Sequence, residues 1–178
     1  MKRKKRLTFI VTILLHAVLL ITVYMFQGAI FPHLRIGGIV PLFLPVAVTG
    51  IALYEGSGTG GICGLFAGML CDVSFNQPVG VFTVVLTAVG ICVGILSDTI
   101  LLSGFITYYI SCAAVLVFCA FVQMTPIVAI PNDIPISSIL GTIAAQTLYS
   151  LILAFPTWFF VRALGKRADS ISPQGRKV

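Results

Sequence analysis

Long apolar runs separated by short breaks of glycine, proline and a few polar residues fill most of this chain. The first, Leu7 to Phe31, is 25 residues long and is interrupted only by Thr8, Thr12, His16, Thr22 and Gln27. A secretory leader has a shorter apolar core, about 7–15 residues, followed by a small-residue cleavage site that is missing here, so the run predicts a retained helix. Pro32 to Gly38 predicts an outer turn, because proline cannot continue a helix and paired glycines supply turn conformations. A second helix is predicted over 39–54, with Pro41 and Pro45 near its start, and Glu55-Gly56-Ser57-Gly58 forms an inner turn. The third run, 59–71, has only 13 residues. At 1.5 Å per residue it reaches roughly 20 Å, less than a ~30 Å hydrocarbon core, so it is either extended by its flanks or re-entrant. Helices are predicted over 79–97, 99–124 and 136–161, with a turn at Asn76-Gln77-Pro78, a tight connection at Asp98 and a proline-rich outer loop from Pro126 to Pro135.

Composition turns this pattern into a membrane protein. Hydrophobic residues make up 58% of the 178 positions and charged residues 9%, against about 45–50% and 25% in soluble domains. From Arg35 to Arg162 the intervening 126 residues hold no lysine or arginine and only four acids, Glu55, Asp72, Asp98 and Asp133. The basic residues cluster at the ends, Lys2 to Arg6 in front and Arg162, Lys166, Arg167, Arg176 and Lys177 behind. Basic flanks mark the cytoplasmic side, so both termini are expected there, which requires an even number of crossings. The expectation is an all-α polytopic membrane protein with about six transmembrane helices, short loops and both termini cytoplasmic. Its parts are a basic N-terminus (1–6), one transmembrane domain (7–162) and a basic, flexible tail (163–178). The net charge of +6 fits anionic lipid headgroups. Nucleic acid is excluded as a partner, because no aromatic residues interleave with the basic runs.

Within the apolar span, glycines recur at every fourth position toward an aspartate, twice. The first run is Gly56, Gly60, Gly64, Gly68, Asp72 and the second is Gly90, Gly94, Asp98. Apolar helices gain nothing hydrophobic by meeting in lipid, so they associate through close packing, which small residues four apart permit. Gly60, Gly64, Gly68, Asp72, Gly90, Gly94 and Asp98 are therefore the candidate packing or partner surface. The segments from Gly64 to Asp72 and from Gly90 to Asp98 agree at four of nine positions. On antiparallel helices this is either the relic of an inverted repeat or a chance recurrence of a common packing pattern.

The remaining polar residues carry little chemistry. Asp72 and Asp98 fall at predicted helix ends, where water reaches them, and Glu55 and Asp133 read as loop acids. His16, near mid-depth of the first helix, is expected as a neutral imidazole bonded to a neighbouring helix. Cys63, Cys71, Cys92, Cys112 and Cys119 show no CxxC or Cys–His spacing and read as small apolar fillers. There is no Gly-x-Ser-x-Gly, phosphate-binding loop or HExxH motif. The chain is expected to have no catalytic, metal or cofactor site.

Between Pro41 and Gly80 the order of features is a proline, an apolar run, Ala52-Leu53-Tyr54, Glu55-Gly56, Gly60, Gly64-Leu65, Gly68, Asp72 and Pro78-Val79-Gly80. This resembles the rod shape-determining protein MreD family, small bacterial membrane proteins of five or six helices. Relatives commonly place an acid after the opening proline, where this chain has Leu42. The resemblance implies a non-enzymatic part in cell elongation, at the bacterial cytoplasmic membrane. It also implies association with an MreC-like membrane protein and with the assembly of MreB filaments, a RodA-type glycosyltransferase and a penicillin-binding transpeptidase. With almost no mass outside the bilayer, such a protein must meet partners through helix faces, short loops or its basic ends.

Two other classes share this size and composition. A substrate-binding membrane subunit of a vitamin-type uptake transporter would need convergent polar groups, for which Asn76, Gln77, Asn132 and Asp133 are the candidates. A small-solute channel would need polar residues stacked along one helix face, and the last three helices offer only scattered Ser, Thr and Gln.

Overall fold

The computed structural model describes residues 2–30, 41–75, 80–100, 105–129 and 136–171, and side chains over 10–29, 41–74, 80–97, 105–125, 139–152 and 154–159. Among the described residues the chain forms six helices: α1 (Lys2–Ile30), α2 (Leu44–Glu55), α3 (Ser57–Phe75), α4 (Val81–Ile100), α5 (Phe105–Ala129) and α6 (Ile136–Ile171). The turns expected at 32–38 and 76–78, Asn132, Asp133 and the last residues of the tail lie outside the described residues.

Helix α2 is the hub. Every residue from Leu44 to Leu53 is buried, and α2 packs against each of the other five helices. A helix that is apolar all round belongs in a core, and this one has no polar face to turn outward. It starts at Leu44 rather than at Ile39, with Pro45 in its first turn, where a missing N–H costs no hydrogen bond. Twelve residues give it a length of only about 18 Å. Its end is equally abrupt, because Gly56 alone joins α2 to α3, with φ 85° and ψ −176°. That region of backbone space is essentially restricted to glycine.

Other predicted boundaries change as well, beginning with α1, which is helical from Lys2 and so includes most of the expected basic N-terminus. α3 runs 19 residues, to Phe75, or about 28 Å, in place of the short segment expected over 59–71. The expectation stopped it at Asp72 because a carboxylate signals water, but this carboxylate is satisfied by α4. α4 continues to Ile100, so Asp98 lies inside its last turn and not in a connection. α5 begins at Phe105 and includes Pro126 through Ala129, since residues after a proline can remain helical. α6 continues to Ile171, so residues 163–171 of the expected flexible tail are helical. Extending an existing helix costs far less than nucleating one.

Side-chain hydroxyls fasten the bundle across helices. Ser150 of α6 accepts from the backbone N–H of Leu42 at 2.9 Å while donating to the Gln146 carbonyl at 2.7 Å. Ser97 of α4 donates to the Leu53 carbonyl at 2.6 Å, and Gln146 donates to Gln123 at 3.0 Å. Tyr108 of α5 lies 3.2 Å from Thr157, next to Pro156 inside α6. Phe105 stacks edge-on against Trp158, 5.1 Å between centroids. Large apolar side chains face outward on every helix but α2, among them Leu14, Val18, Met25, Phe66, Met69, Val84, Ile106, Phe118, Ile152 and Phe159. Such a surface suits lipid. Of the six helices, two contain spans long and apolar enough by themselves to cross a membrane, at Ile10–Ala29 and Phe105–Thr125.

Replacing Ser150 with alanine strands the buried Leu42 N–H. Thermal unfolding in detergent should show a loss of about 1–3 kcal/mol, whereas Ser74→Ala, which removes only an exposed bond within α3, should leave stability unchanged.

Candidate functional site

The two glycine runs meet each other. α3 and α4 are antiparallel neighbours joined by a short link, and their glycines line the contact along its length. A methyl group at Gly60 would sit 2.7 Å from the Gly90 carbonyl oxygen and 2.7 Å from Cβ of Ala52 on α2. At Gly64 it would strike the Leu86 carbonyl, at Gly68 the Thr83 Cα, at Gly90 the Gly60 carbonyl and at Gly94 the Ser57 Cα. Apart from Cβ of Ala52, these neighbours are main-chain atoms, which cannot swing aside as a side chain would. The helices therefore touch backbone to backbone, the close approach that small residues allow in lipid. All five glycines are buried, so their faces are occupied within the chain and none is presented at its surface. Gly61 extends the contact against Ile91.

The pairing has an internal symmetry. Gly60 opposite Gly90 exchanges with Gly64 opposite Leu86 when each residue is moved by the spacing that separates Gly64 from Gly90. The same operation exchanges Gly68 opposite Phe82 with Gly56 opposite Gly94. The matching runs are thus related by an approximate two-fold axis through the hairpin, the arrangement expected of antiparallel helices carrying the same pattern. The Asp98 side chain lies outside the described residues.

Asp72 closes the seam at the C-terminal end of α3. It is only 5% exposed, contrary to the expectation that it faces water. Its Oδ1 accepts from the Phe82 N–H at 2.8 Å. Its Oδ2 accepts from the Gly80 N–H at 2.9 Å, the Thr83 N–H at 3.2 Å and the Thr83 hydroxyl at 2.6 Å. The carboxylate of one helix thereby caps the first turn of the next. Helix N-termini present unpaired N–H groups and a partial positive charge, so a carboxylate there gains both hydrogen bonds and dipole attraction. Gly80, with φ 104°, turns the chain so that its N–H joins this set. One signal in the sequence pointed to this arrangement. The segment Pro78-Val79-Gly80-Val81 offers α4 no capping Ser, Thr, Asp or Asn of its own, so its cap has to come from elsewhere. Thr83 and Ala52 carried no such signal.

The other polar residues are dispersed. His16 bonds within its own helix, Nδ1 to the Thr12 carbonyl at 2.8 Å, and its Nε2 lies 4.0 Å from Glu55. Glu55, expected as a loop acid, is the last residue of α2. Cys63, Cys71, Cys112 and Cys119 are buried free thiols and Cys92 is exposed. Among the described residues no three of His, Cys, Asp and Glu gather as metal ligands. An apolar groove between α5 and α6 is lined by Val117, Phe121, Leu140, Ile143 and Leu148, and the one hydroxyl on it, from Thr147, is bonded back to Ile143. The arrangement at the hairpin holds two helices in fixed register.

Two substitutions separate close packing from helix propensity. Gly64→Ala should destabilise the protein by about 1–3 kcal/mol through overpacking. Gly141→Ala, where the added methyl meets open space, should stabilise it by about 0.5–1 kcal/mol, both read as unfolding midpoints in one detergent. Asp72→Asn leaves one carbonyl oxygen for four donors and removes the charge, so a loss of about 1–3 kcal/mol is expected in the same assay; an unchanged midpoint would contradict the capping role.

No curated protein and no solved structure matches the chain. A family model described as rod shape-determining protein MreD matches residues 5–168. Given that nearly complete match and the glycine hairpin within it, the chain belongs to the MreD family, whose members are membrane proteins that determine rod shape.

Proposed function

We propose that this protein is a multi-pass component of the bacterial cytoplasmic membrane, with one transmembrane domain over 7–162, six crossings and both termini in the cytoplasm. There it serves the cell-elongation machinery without catalysing a reaction. It holds an MreC-like membrane partner and helps to link MreB filaments to peptidoglycan synthesis by a RodA-type glycosyltransferase and a penicillin-binding transpeptidase. The family match over residues 5–168 carries this reading. The buried hub, the backbone contact of α3 with α4 and the outward apolar faces support a scaffold that partners meet from within the bilayer. The glycine strips and Asp72 act indirectly, by fixing the hairpin whose outer faces, including Ile62, Phe66 and Met69 on α3, remain available. Nothing in the fold or the match supports a vitamin-uptake subunit.

Depleting the protein in a rod-shaped host should round the cells, and an MreC-like protein should co-purify with it. Reporters fused to either end should both report the cytoplasm. Normal rods after depletion would overturn the cellular role, and termini on opposite sides would overturn the six-crossing topology. Gly64→Leu should reduce partner recovery severalfold by splaying the hairpin.

A further inference from the structure

One face of α6 joins an apolar surface to a basic one. The helix runs unbroken from Ile136 to Ile171, past Pro156. At about 100° per residue, Ile152, Phe155, Phe159, Arg162 and Lys166 fall within about 80° of one another around its axis. Ile152, Phe155 and Phe159 are 71%, 63% and 72% exposed, so the described residues leave this face open. Arg162 and Lys166 continue the same line toward the C-terminus. Along α6 no acid lies within one turn of Arg162, and Asp169 follows Lys166 by three residues.

The depth of the two cations follows from their aromatic neighbours. The apolar span of α5, Phe105–Thr125, is 21 residues long, or about 31 Å, which matches the ~30 Å hydrocarbon layer. Phe105 therefore marks one edge of that layer. Its ring stands 5.1 Å from Trp158 and 6.3 Å from Phe155, which carries the same depth across to α6. Tyr109 packs 4.8 Å from Phe105, and tyrosine and tryptophan favour this boundary because their rings are apolar with one polar group. Arg162 lies one turn beyond Trp158, about 6 Å further along the axis. The headgroup layer is roughly 5–8 Å thick on each side, so Arg162 falls within it and Lys166 at its water side.

We propose that this end of α6 binds an anionic phospholipid, whose phosphate meets Arg162 and Lys166 and whose acyl chain lies along Phe159, Phe155 and Ile152. The face changes from cationic to apolar in the order that such a lipid presents its anionic head and its hydrocarbon tail. A zwitterionic lipid shares the tail but carries a compensating cation beside its phosphate, so it gains less from two basic residues. Helix α1 packs mainly on α2 and α3, so its basic run from Lys2 to Arg6 is a separate end of the molecule. The site rests on α5 and α6 crossing the bilayer and is independent of the protein partners named above.

Trp158 is the chain's one tryptophan, so its fluorescence reports on this site alone. Full-length protein is placed in nanodiscs of phosphatidylcholine with a minority of phosphatidylglycerol. Bromines, which quench tryptophan on contact, are carried by the acyl chains of one lipid or of the other. At the same fraction of brominated chains, quenching should be at least about twofold stronger when they belong to phosphatidylglycerol. Arg162→Gln with Lys166→Gln should bring the two values together, whereas Arg3→Gln with Lys4→Gln on α1 should leave them apart. Equal quenching in the unaltered protein, a difference that survives the α6 substitutions, or an equal loss in both variants would overturn the site. Quenching by neither lipid would overturn both the site and the bilayer crossing on which it rests, while cell shape on depletion decides only the cellular role.

Discussion

The approach of α3 to α4 through bare backbone is the constraint on which the other helix positions rest. Two apolar helices in lipid gain nothing from the hydrophobic effect when they meet, so they must gain from contact density. Gly60, Gly64, Gly68, Gly90 and Gly94 permit that density by removing the side chains that would hold the axes apart. Asp72 then fixes the register, since its two oxygens reach Gly80, Phe82 and Thr83 in only one alignment of the helices. Ala52 of α2 meets Gly60 at the opposite part of the same seam, and Ser97 of α4 ties to the Leu53 carbonyl close by. The hub is thereby seated on the hairpin. Ser150 carries the connection to α6 through Leu42, and α5 joins through Tyr108 and Gln123.

This construction accounts for where polar groups occur in so apolar a chain. Most buried hydroxyls, amides and carboxylates described either span two helices or return to their own backbone, because an unsatisfied polar group in hydrocarbon is costly; the buried Gln27 side-chain oxygen, which accepts no hydrogen bond among the described residues, is an exception. Among the described residues no cluster of such groups lines the apolar groove between α5 and α6. The outward faces are apolar, the α3–α4 contact is fixed in register, and His16 faces Glu55 across the α1–α2 contact.

Much of the fold was legible because membrane helices carry a coarse signal. Run length, proline and glycine breaks and terminal charge predicted six helices near their observed positions, and the four-residue glycine steps singled out the helices in closest contact. The same steps mark Gly60, Gly64, Gly68, Gly90 and Gly94 at that contact, whereas Gly61, Ala52 and Thr83 belong to no repeat, and the Asp98 side chain lies outside the described residues. Three of the errors share a cause. Asp72 ended α3 in the sequence reading, Asp98 ended α4 and Glu55 was given to a loop, each on the premise that a charge seeks water. For Asp72 the N-terminus of α4 supplies what water would have supplied, and for Glu55 the partner is an imidazole on a helix distant in sequence.

The sequence by itself determined the environment, the helices and the small residues by which two of them pack. Those follow from local composition and from periodicities a single helix expresses. Only the tertiary structure decided that the glycine runs face each other, that α2 is wholly enclosed and that Asp72 caps a helix other than its own. Each of these depends on which surfaces meet, and in a chain whose helices are apolar on nearly every side, hydropathy does not distinguish a face that meets lipid from one that meets protein.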